Sequence, residues 1–347
     1  MDFSPSDDQV LLRDSIRALL AAECTPAVLR AHMSDLPAAT PLWSHLGDFA
    51  ALGVGPTVDL CIVMEELGYV AAPSPFFASA CLAAPVLAAI GDPCLDEILA
   101  GTTTGTLALA GSDGMWRANS DSHKTFVPDA ASADMVVVIG GGVGGADGGN
   151  CTVATQIADD ARRITTLDST RPLYNVECAT GTPIGTIDPD ALDAIIERAT
   201  VALAAELVGT ARRLLDMSLA YAKERVQFGV AIGSFQAIQH KLVDMSLDVE
   251  RAWSAVYFAA MTLAAADAPD ESDGSASRLD CKRAVHVAKA TAGIAAKHCA
   301  KDGIQIHGGI GFTWEHDLHL FIRRAYASEA LLGTTNWHHE QLGDLLF

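Results

Sequence analysis

Residues 140–145 form a glycine cluster whose spacing could bind a phosphate. The run reads GGGVGG, and Gly140, Gly142 and Gly145 fit the pattern G-x-G-x-x-G of dinucleotide-binding turns. In such a turn a strand leads into a helix, whose N-terminal N–H groups receive the pyrophosphate. Here the β-branched run before the cluster is followed by residues 147–150, DGGN, and then by another β-rich run. The sequence therefore predicts a hairpin connection at the cluster and not a dinucleotide site.

The charge of the chain restricts what else it could bind. Its 347 residues are 50% hydrophobic and 19% charged, and the formal net charge is −20. Such an acidic surface argues against nucleic-acid binding, which needs a basic footprint. An anionic ligand is compatible with this charge if arginines, helix N-termini or backbone N–H groups supply local donors.

The cysteines and the hydropathy pattern indicate the compartment. The eight cysteines are scattered without a C-x-x-C pair, which is typical of reduced thiols. The N-terminus lacks the basic and apolar segments of a signal peptide, and no window offers about 18 uninterrupted apolar residues. We therefore expect a soluble cytoplasmic protein that does not enter a membrane. No metal site is expected, because residues 337–340, WHHE, lack the H-E-x-x-H spacing.

The elements that position candidate residues fall into three segments. Residues 1–101 are predicted to be helical, beginning at residues 4–8, SPSDD, with Ser4 as the cap and Pro5 at the first helical position. Residues 102–187 carry short β-rich runs separated by turn residues and predict a small β-domain. Residues 188–347 return to helix, with one pattern of about ten turns from Asp188-Pro189 to Arg225, a second long helix after Ser234, a loop over residues 267–280 and a third helix ending near Gly303. The fold class is thus mainly α with a central β-domain and a C-terminal four-helix bundle.

Two stretches of the C-terminal segment carry a family resemblance. Residues 224–240 read ERVQFGVAIGSFQAIQH, and residues 302–313 read DGIQIHGGIGFT. Together with the helical, β and helical layout, they resemble the acyl-CoA dehydrogenase family. The resemblance covers the whole chain, strongly in 188–335 and weakly in the β-domain.

The resemblance implies a cofactor site shared between subunits. In the family each FAD spans a subunit interface, and the residues matching these two stretches approach the ADP half of the neighbour's flavin. An arginine offers a bidentate fork to a pyrophosphate, and a glycine pair lets the backbone come close. The matching positions are Arg225, Phe228, Gln236, Gln305, Ile306, His307, Gly308 and Gly309.

Each of these residues also has an ordinary structural interpretation. Arg225 could be an exposed cation at a helix end, Phe228 a core residue, and Gly308 with Gly309 a helix C-cap. His307 is expected to pack or to bond the backbone and not to act as a base.

The family's catalytic base is missing from its usual position. Family members remove the α proton of an acyl-CoA with a glutamate while flavin N5 accepts the β hydride. Many place that glutamate in a Glu-Gly-Thr context, which matches residues 331–336, LLGTTN, so that Leu332 stands at the base position. Other members carry the base on the long helix, at a position matching about Ala199. Glu197 is two residues from it and points roughly 200° away, whereas Glu206 is about two turns along on nearly the same face and is a candidate relocated base. Its ordinary interpretation is a polar residue at a subunit contact.

The β-domain departs from the family pattern as well. Only residues 110–113, AGSD, match the Thr-Glu-Pro-Gly-x-Gly-Ser-Asp run of active members. The strand that grips the isoalloxazine in the family matches residues 122–128, SHKTFVP, in which Phe126 replaces a tryptophan and Pro128 replaces Thr or Ser. The proline removes both a hydroxyl and a backbone N–H donor.

These departures resemble one subunit type of some bacterial acyl-CoA dehydrogenases that act on steroid side-chain CoA thioesters. Those enzymes are α2β2 heterotetramers with two flavins, in which one subunit type lacks a full site. We therefore expect a partner subunit that is active in a complex, with a catalytic subunit, an acyl-CoA and an electron-transfer flavoprotein as partners. The alternatives are a self-sufficient homotetramer that uses Glu206 and a flavin-free assembly or regulatory subunit.

Overall fold

The computed structural model describes residues 3–34, 42–142, 149–158, 160–178, 181–266 and 277–347. The helices are α1 (Asp7–Glu23), α2 (Pro26–Ser34), α3 (Trp43–Leu46), α4 (Thr57–Tyr69), α5 (Ala84–Ile90), α6 (Cys94–Leu99), α7 (Pro189–Glu224), α8 (Gln236–Ala266), α9 (Arg278–His307), α10 (Leu318–Ala330) and α11 (Thr335–Leu346). The strands are β1 (Gly105–Ala108), β2 (His123–Pro128), β3 (Met135–Gly142), β4 (Cys151–Gln156), β5 (Arg162–Ile164), β6 (Leu173–Glu177), β7 (Thr182–Ile187), β8 (Val226–Gln227) and β9 (Val230–Ala231). The predicted mainly helical fold with a central β-region and C-terminal helices is confirmed.

The first helix begins two residues later than predicted. Ser6 is the cap of α1: its hydroxyl accepts the N–H of Gln9 at 3.2 Å, and the Gln9 side chain accepts the N–H of Ser6 at 3.1 Å. This reciprocal pair satisfies two N–H groups that a cap at Ser4 would leave open. Pro5 therefore precedes the helix and is not its first residue.

The long C-terminal helices follow the sequence pattern with two corrections. In α7, which has 36 residues, the Asp188 carboxylate accepts the N–H of Asp190 at 2.9 Å and so caps the helix as predicted. Ser277 caps α9, so the last residues of the predicted loop are already helical, while residues 267–276 lie outside the described residues. Helix α9 also continues four residues past Gly303, because that glycine packs closely against α7: a Cβ there would lie 3.3 Å from Ser218 Oγ.

The strands form two sheets and a hairpin. One sheet has the order β1-β3-β4-β7 with β1 and β3 parallel, the second has the order β2-β6-β5, and β8 pairs with β9. Strand β3 pairs antiparallel with β4, with Ile139 opposite Val153 and Gly142 opposite Cys151. Gly140 and Gly142 thus lie in β3, and the next strand along the chain is antiparallel to it, which agrees with the predicted hairpin connection. Gly145 itself lies outside the described residues, and strands β5 to β7 were not predicted individually.

The chain divides into two compact units that are not continuous in sequence. The first comprises Met1–Leu29, Thr57–Ala72 and Val201–Phe347, and the second comprises Arg30–Pro56 and Pro73–Thr200. The second unit contains a hydrophobic β-core of alanines, valines and one tyrosine, with Ala108, Val127, Val136, Val138, Tyr174 and Val176 among its members. The three segments expected along the sequence stay a prediction. None of the helices in the described ranges combines the length and the hydropathy that crossing a membrane requires.

Candidate functional site

A tight hairpin presents Phe228 to solvent just after α7. Strands β8 and β9 are joined by the two residues Phe228 and Gly229, whose φ angles are 53° and 84°. Two positive φ values are what a hairpin turn of the I′ type needs, and they suit glycine but cost a bulky residue free energy. The Phe228 side chain is nevertheless 94% exposed, so it is not the core residue of its ordinary interpretation. An exposed aromatic ring held on strained backbone is a mark of a functional position.

The start of α8 lies beside this hairpin. The backbone of Arg225 bonds Ile232 across the hairpin at 2.8 Å, and the rings of Phe228 and Phe235 meet edge to face at 6.3 Å. Gln236 opens α8 and is exposed, within 3.4 Å of the His240 ring nitrogen. Arg225, Phe228 and Gln236 therefore share one exposed surface, which we call the hairpin surface.

The end of α9 combines buried and exposed candidates. Ile306 and His307 are buried, whereas Gln305, Gly308 and Gly309 are exposed. The His307 Nδ1–H donates to the Gly303 carbonyl at 2.8 Å, and burial lowers the pKa of this imidazole. His307 thus bonds the backbone, as the sequence analysis expected.

The glycine pair that follows leaves the backbone uncovered. Gly308 has a φ of 63°, and its N–H caps α9 by donating to Ile304. A Cβ added at Gly308 or Gly309 would meet nothing within 4 Å. The pair is therefore a C-cap, and it also exposes main chain that a ligand can approach closely.

One ring contact brings the two candidate stretches together. Tyr221, in the last turn of α7, stacks on His307 with ring centroids 4.4 Å apart and an interplanar angle of 21°. Arg225 follows Tyr221 by one helical turn, and its N–H donates to the Tyr221 carbonyl. Stretches about 80 residues apart in sequence therefore converge at one end of the helical unit, because α7 and α9 end side by side there.

Glu206 lies away from this surface. It precedes Arg225 by 19 positions on α7, which corresponds to about 28 Å of helix. Its carboxylate is 1% exposed, accepts the Ser328 hydroxyl at 2.7 Å and lies 3.5 Å from the guanidinium of Arg324. Arg324 also donates to the carbonyls of Ala71 and Ala72. These internal partners favour a structural role for Glu206.

The turn at Leu332, which the family resemblance matches to a base position, has a left-handed backbone and a buried side chain. Leu332 has a φ of 58° and is 4% exposed. The buried ammonium of Lys289 stabilises the turn by donating to the carbonyls of Glu329 and Gly333 at 2.8 Å each. Burial lowers the pKa of Lys289 to about 7. A leucine in this strained position can neither take nor give a proton.

The neighbouring carboxylate is committed elsewhere. Glu329 accepts bonds from Lys297 and from the N–H of Thr335, at 2.7 and 2.8 Å. Burial alone would raise the pKa of Glu329, but these donors outweigh it and hold the pKa below its usual value. Sequence reasoning missed this support of the turn by Lys289 and Glu329. The available signal was Lys289 itself, a cation within an alanine-rich helix.

A histidine pair completes the support of the turn. His338 Nε2 lies 3.1 Å from the Leu332 carbonyl, which can only accept, so Nε2 carries the proton. The other nitrogen, Nδ1, then accepts from Nδ1–H of His286 at 2.8 Å. Burial, the largest cause for both groups, lowers the pKa of His286 to about 4 and that of His338 to about 3. Both rings are therefore neutral at pH 7.

In the β-region, the residues matching the flavin-binding runs bond within their own loop. Asp121 accepts the N–H and the hydroxyl of Ser112 at 2.9 and 2.8 Å. Lys124 is fully buried and donates to the Asn119 side chain at 2.7 Å, and burial lowers its pKa. Phe126 has a φ of 56° at a register shift of β2, and Pro128 accepts the Thr106 hydroxyl through its carbonyl. The polar groups of this loop are thus used to fold the loop.

Comparisons with known proteins agree with this architecture. Residues 192–347 match the family model described as "Acyl-CoA dehydrogenase, C-terminal domain". The acyl-CoA dehydrogenase IpdE2 of Mycobacterium tuberculosis is 33% identical over 344 residues, covering 95% of this chain and 94% of the relative. Among solved structures, the ChsE4-ChsE5 complex from M. tuberculosis has a TM-score of 0.86 at 23% identity, covering 100% of this chain and 99% of the other. The Tcur3481-Tcur3483 steroid ACAD has a TM-score of 0.82 at 25% identity, with 98% of each chain covered.

Proposed function

Because the chain belongs to the acyl-CoA dehydrogenase family, we propose that it is the non-catalytic subunit of a heteromeric, FAD-dependent member. In this proposal it completes the ADP half of a flavin site whose reactive half is held by a catalytic partner. The observation that supports the proposal is the turn at Leu332: its φ is positive, Lys289 bonds its backbone, and it holds a leucine where the family resemblance implies a glutamate.

The residues of the hairpin surface and of the α9 end fit the ADP part of FAD. Gly308 and Gly309 leave uncovered main chain, and the exposed guanidinium of Arg225 offers a fork for two phosphate oxygens. Phe228 offers an aromatic face to a planar base. His307 fixes the end of α9 through its bond to Gly303 and its stack on Tyr221.

The reaction of the assembled enzyme is α,β-dehydrogenation of an acyl-CoA, for which bound FAD supplies the hydride acceptor. In this chain, the α9 end and the hairpin orient the cofactor from the side of its diphosphate, and no residue here moves the substrate's proton. The partner supplies the base. A steroid side-chain CoA thioester is the proposed substrate class, supported by the likeness to the Tcur3481-Tcur3483 steroid ACAD, and an electron-transfer flavoprotein is the proposed electron acceptor.

Expression of the chain with and without its genomic neighbours tests the proposal through flavin content. We expect the chain alone to be colourless and to leave acyl-CoA unchanged. With the correct neighbour, a yellow complex should co-purify that carries one flavin for each pair of unlike chains. A chain that alone is yellow and oxidises an acyl-CoA contradicts the proposal.

Flavin titration distinguishes the proposed function from the remaining alternative, a flavin-free subunit. Added FAD should raise the melting temperature of the complex, since a ligand that binds the folded state stabilises it. If neither the flavin spectrum nor the melting temperature changes, the chain is a flavin-free assembly or regulatory subunit.

A further inference from the structure

A cavity of about 320 Å³ opens in the helical unit, away from the hairpin surface. Helices α1, α4 and α8 each turn one face toward it, and α7 contributes Arg212. Its volume lies at the lower end of the range for ligand pockets, which suits a small molecule and excludes a CoA thioester. None of the residues assigned above to the flavin lines it.

The lining of the cavity is rich in arginine. Its lining includes Arg13, Arg17 and Arg212 but one carboxylate, Glu65, although the chain has a net charge of −20. Arg17 is engaged by Glu66 through two bonds, at 3.0 and 2.6 Å. Arg212 is engaged by Glu65. Arg17 and Arg212 are therefore each paired with a buried carboxylate.

Arg13 differs from the other two arginines. In the part of the chain that the structure describes, its contact is one bond from Nε to the neighbouring Asp14, at 3.3 Å, and its side chain is 38% exposed. Its two terminal amino groups have no acceptor within those same residues. An anion in the cavity can therefore pair with these two amino groups of Arg13.

The opposite wall is apolar and aromatic. Trp253 packs on Tyr257 with ring centroids 4.6 Å apart, and Phe3 lies 6.3 Å from Trp253. At the base, Glu65 accepts the Tyr257 hydroxyl at 2.8 Å and pairs with Arg212, so these groups satisfy each other. The cavity thus combines an open guanidinium at its mouth with a wall that needs no polar partner.

We propose that this cavity binds a medium-chain monocarboxylate. Its carboxylate takes the bidentate fork of Arg13, and its alkyl chain lies along Trp253 and Phe3. The binding is non-covalent and ties the segment before α1 to α8. It is independent of the flavin role proposed above.

The probe is octanoate. Its binding to the full chain, with any co-purifying partner, is measured by calorimetry and by tryptophan fluorescence. We expect saturable binding in the low-millimolar range or tighter, with a fluorescence change that Trp253→Phe removes while calorimetry still reports binding. Acetate lacks the tail and octan-1-ol lacks the charge, so neither should bind at the same concentration.

Three variants make the assignment specific. Arg13→Gln should weaken octanoate binding about tenfold, because a charge-assisted fork is lost. Val58→Phe, at a half-buried position of the lining, should fill the cavity and abolish binding. Arg117→Gln removes a surface arginine paired with an aspartate in the β-region and should leave binding unchanged. No saturable octanoate binding, equal binding of octan-1-ol, or unchanged binding in both Arg13→Gln and Val58→Phe overturns the proposal.

Discussion

At the scale of single residues, the structure shows that two buried glutamates are bonded within the fold. Glu206 and Glu329 are both buried and both bonded by cationic side chains. Leu332 stands where the family resemblance implies the base. The absence of the base at this position stays a prediction from the sequence. The partners of Glu206 could not be predicted, because Ser328 lies 122 positions away along the chain.

Glu206→Gln should lower the stability of the chain, and it should not remove a catalytic base. The change leaves the buried guanidinium of Arg324 without the Glu206 charge, which costs about 3 kcal/mol. Urea unfolding measures the loss, and Glu340→Gln on the exposed face of α11 is the control. A variant of unchanged stability whose complex keeps its flavin but has no turnover would identify Glu206 as the base.

The histidine pair predicts an acid-sensitive fold. His286 and His338 have folded pKa values of about 4 and about 3, below the ordinary value of 6.5. Between the folded pKa values and 6.5, the unfolded chain binds protons that the folded chain does not. The contribution of the pair to folding stability is therefore complete above pH 6.5 and is lost as the pH falls toward the folded pKa values. The slope is at most about 1.4 kcal/mol per pH unit for each histidine.

His286→Asn tests this dependence. The asparagine amide keeps an N–H donor for His338 but does not titrate. Stability at pH 7.5 should therefore change little, while the decline between pH 6 and pH 4 becomes shallower than in the wild type. His339→Asn, at the exposed neighbouring position, should keep the wild-type slope. An identical slope in the His286 variant would show that this pair does not titrate as described.

At the scale of elements, the sequence predicted the long helices better than the short strands. The Asp188 cap and the ten-turn pattern located α7, because capping and hydrophobic periodicity are local properties. Strands β8 and β9 have two residues each, which is too short for a pattern. Their pairing depends on the positive φ angles at Phe228 and Gly229, and a phenylalanine gives no sequence signal for such a turn.

The backbone of Phe228 in the hairpin predicts opposite effects of one substitution on folding stability and on FAD binding. Phe228→Gly should stabilise the isolated chain by about 1 kcal/mol, because glycine adopts a positive φ without a steric cost. The same change should weaken FAD binding by the complex about tenfold, because the aromatic face is lost. Thermal unfolding and fluorescence titration measure the two effects, with Val230→Ala on the same hairpin as the control. Weaker stability together with unchanged FAD affinity would contradict both parts.

At the scale of the whole molecule, the grouping of segments was beyond sequence reasoning. Residues of α4 group with the C-terminal helices, because Gly68 and Gly209 allow close backbone contact: a Cβ at Gly68 would lie 2.0 Å from the Glu206 carbonyl oxygen. No periodicity reports such a contact between distant segments. The residue patterns predicted the order of the helical and β segments, whereas the contacts of Lys289 and His338 with the Leu332 turn required the structure.

The proposed division of labour between subunits also belongs to the scale of the whole molecule. The surface proposed to bind the ADP group lies where α7 and α9 end together, whereas the turn matched to the base position holds Leu332. A chain with these features is useful in an assembly in which another chain supplies the reactive half of the site.

The FAD dissociation constant of the complex, measured with Arg225 changed in this chain alone, tests the division of labour most directly. Arg225→Gln should raise the constant at least about tenfold, and Arg225→Lys should fall between it and the wild type, because lysine keeps the charge but not the bidentate fork. Lys223→Gln, an exposed cation two residues earlier, should leave the constant unchanged. If Arg225→Gln binds FAD as tightly as the wild type, this chain does not hold the partner's cofactor and the account is wrong.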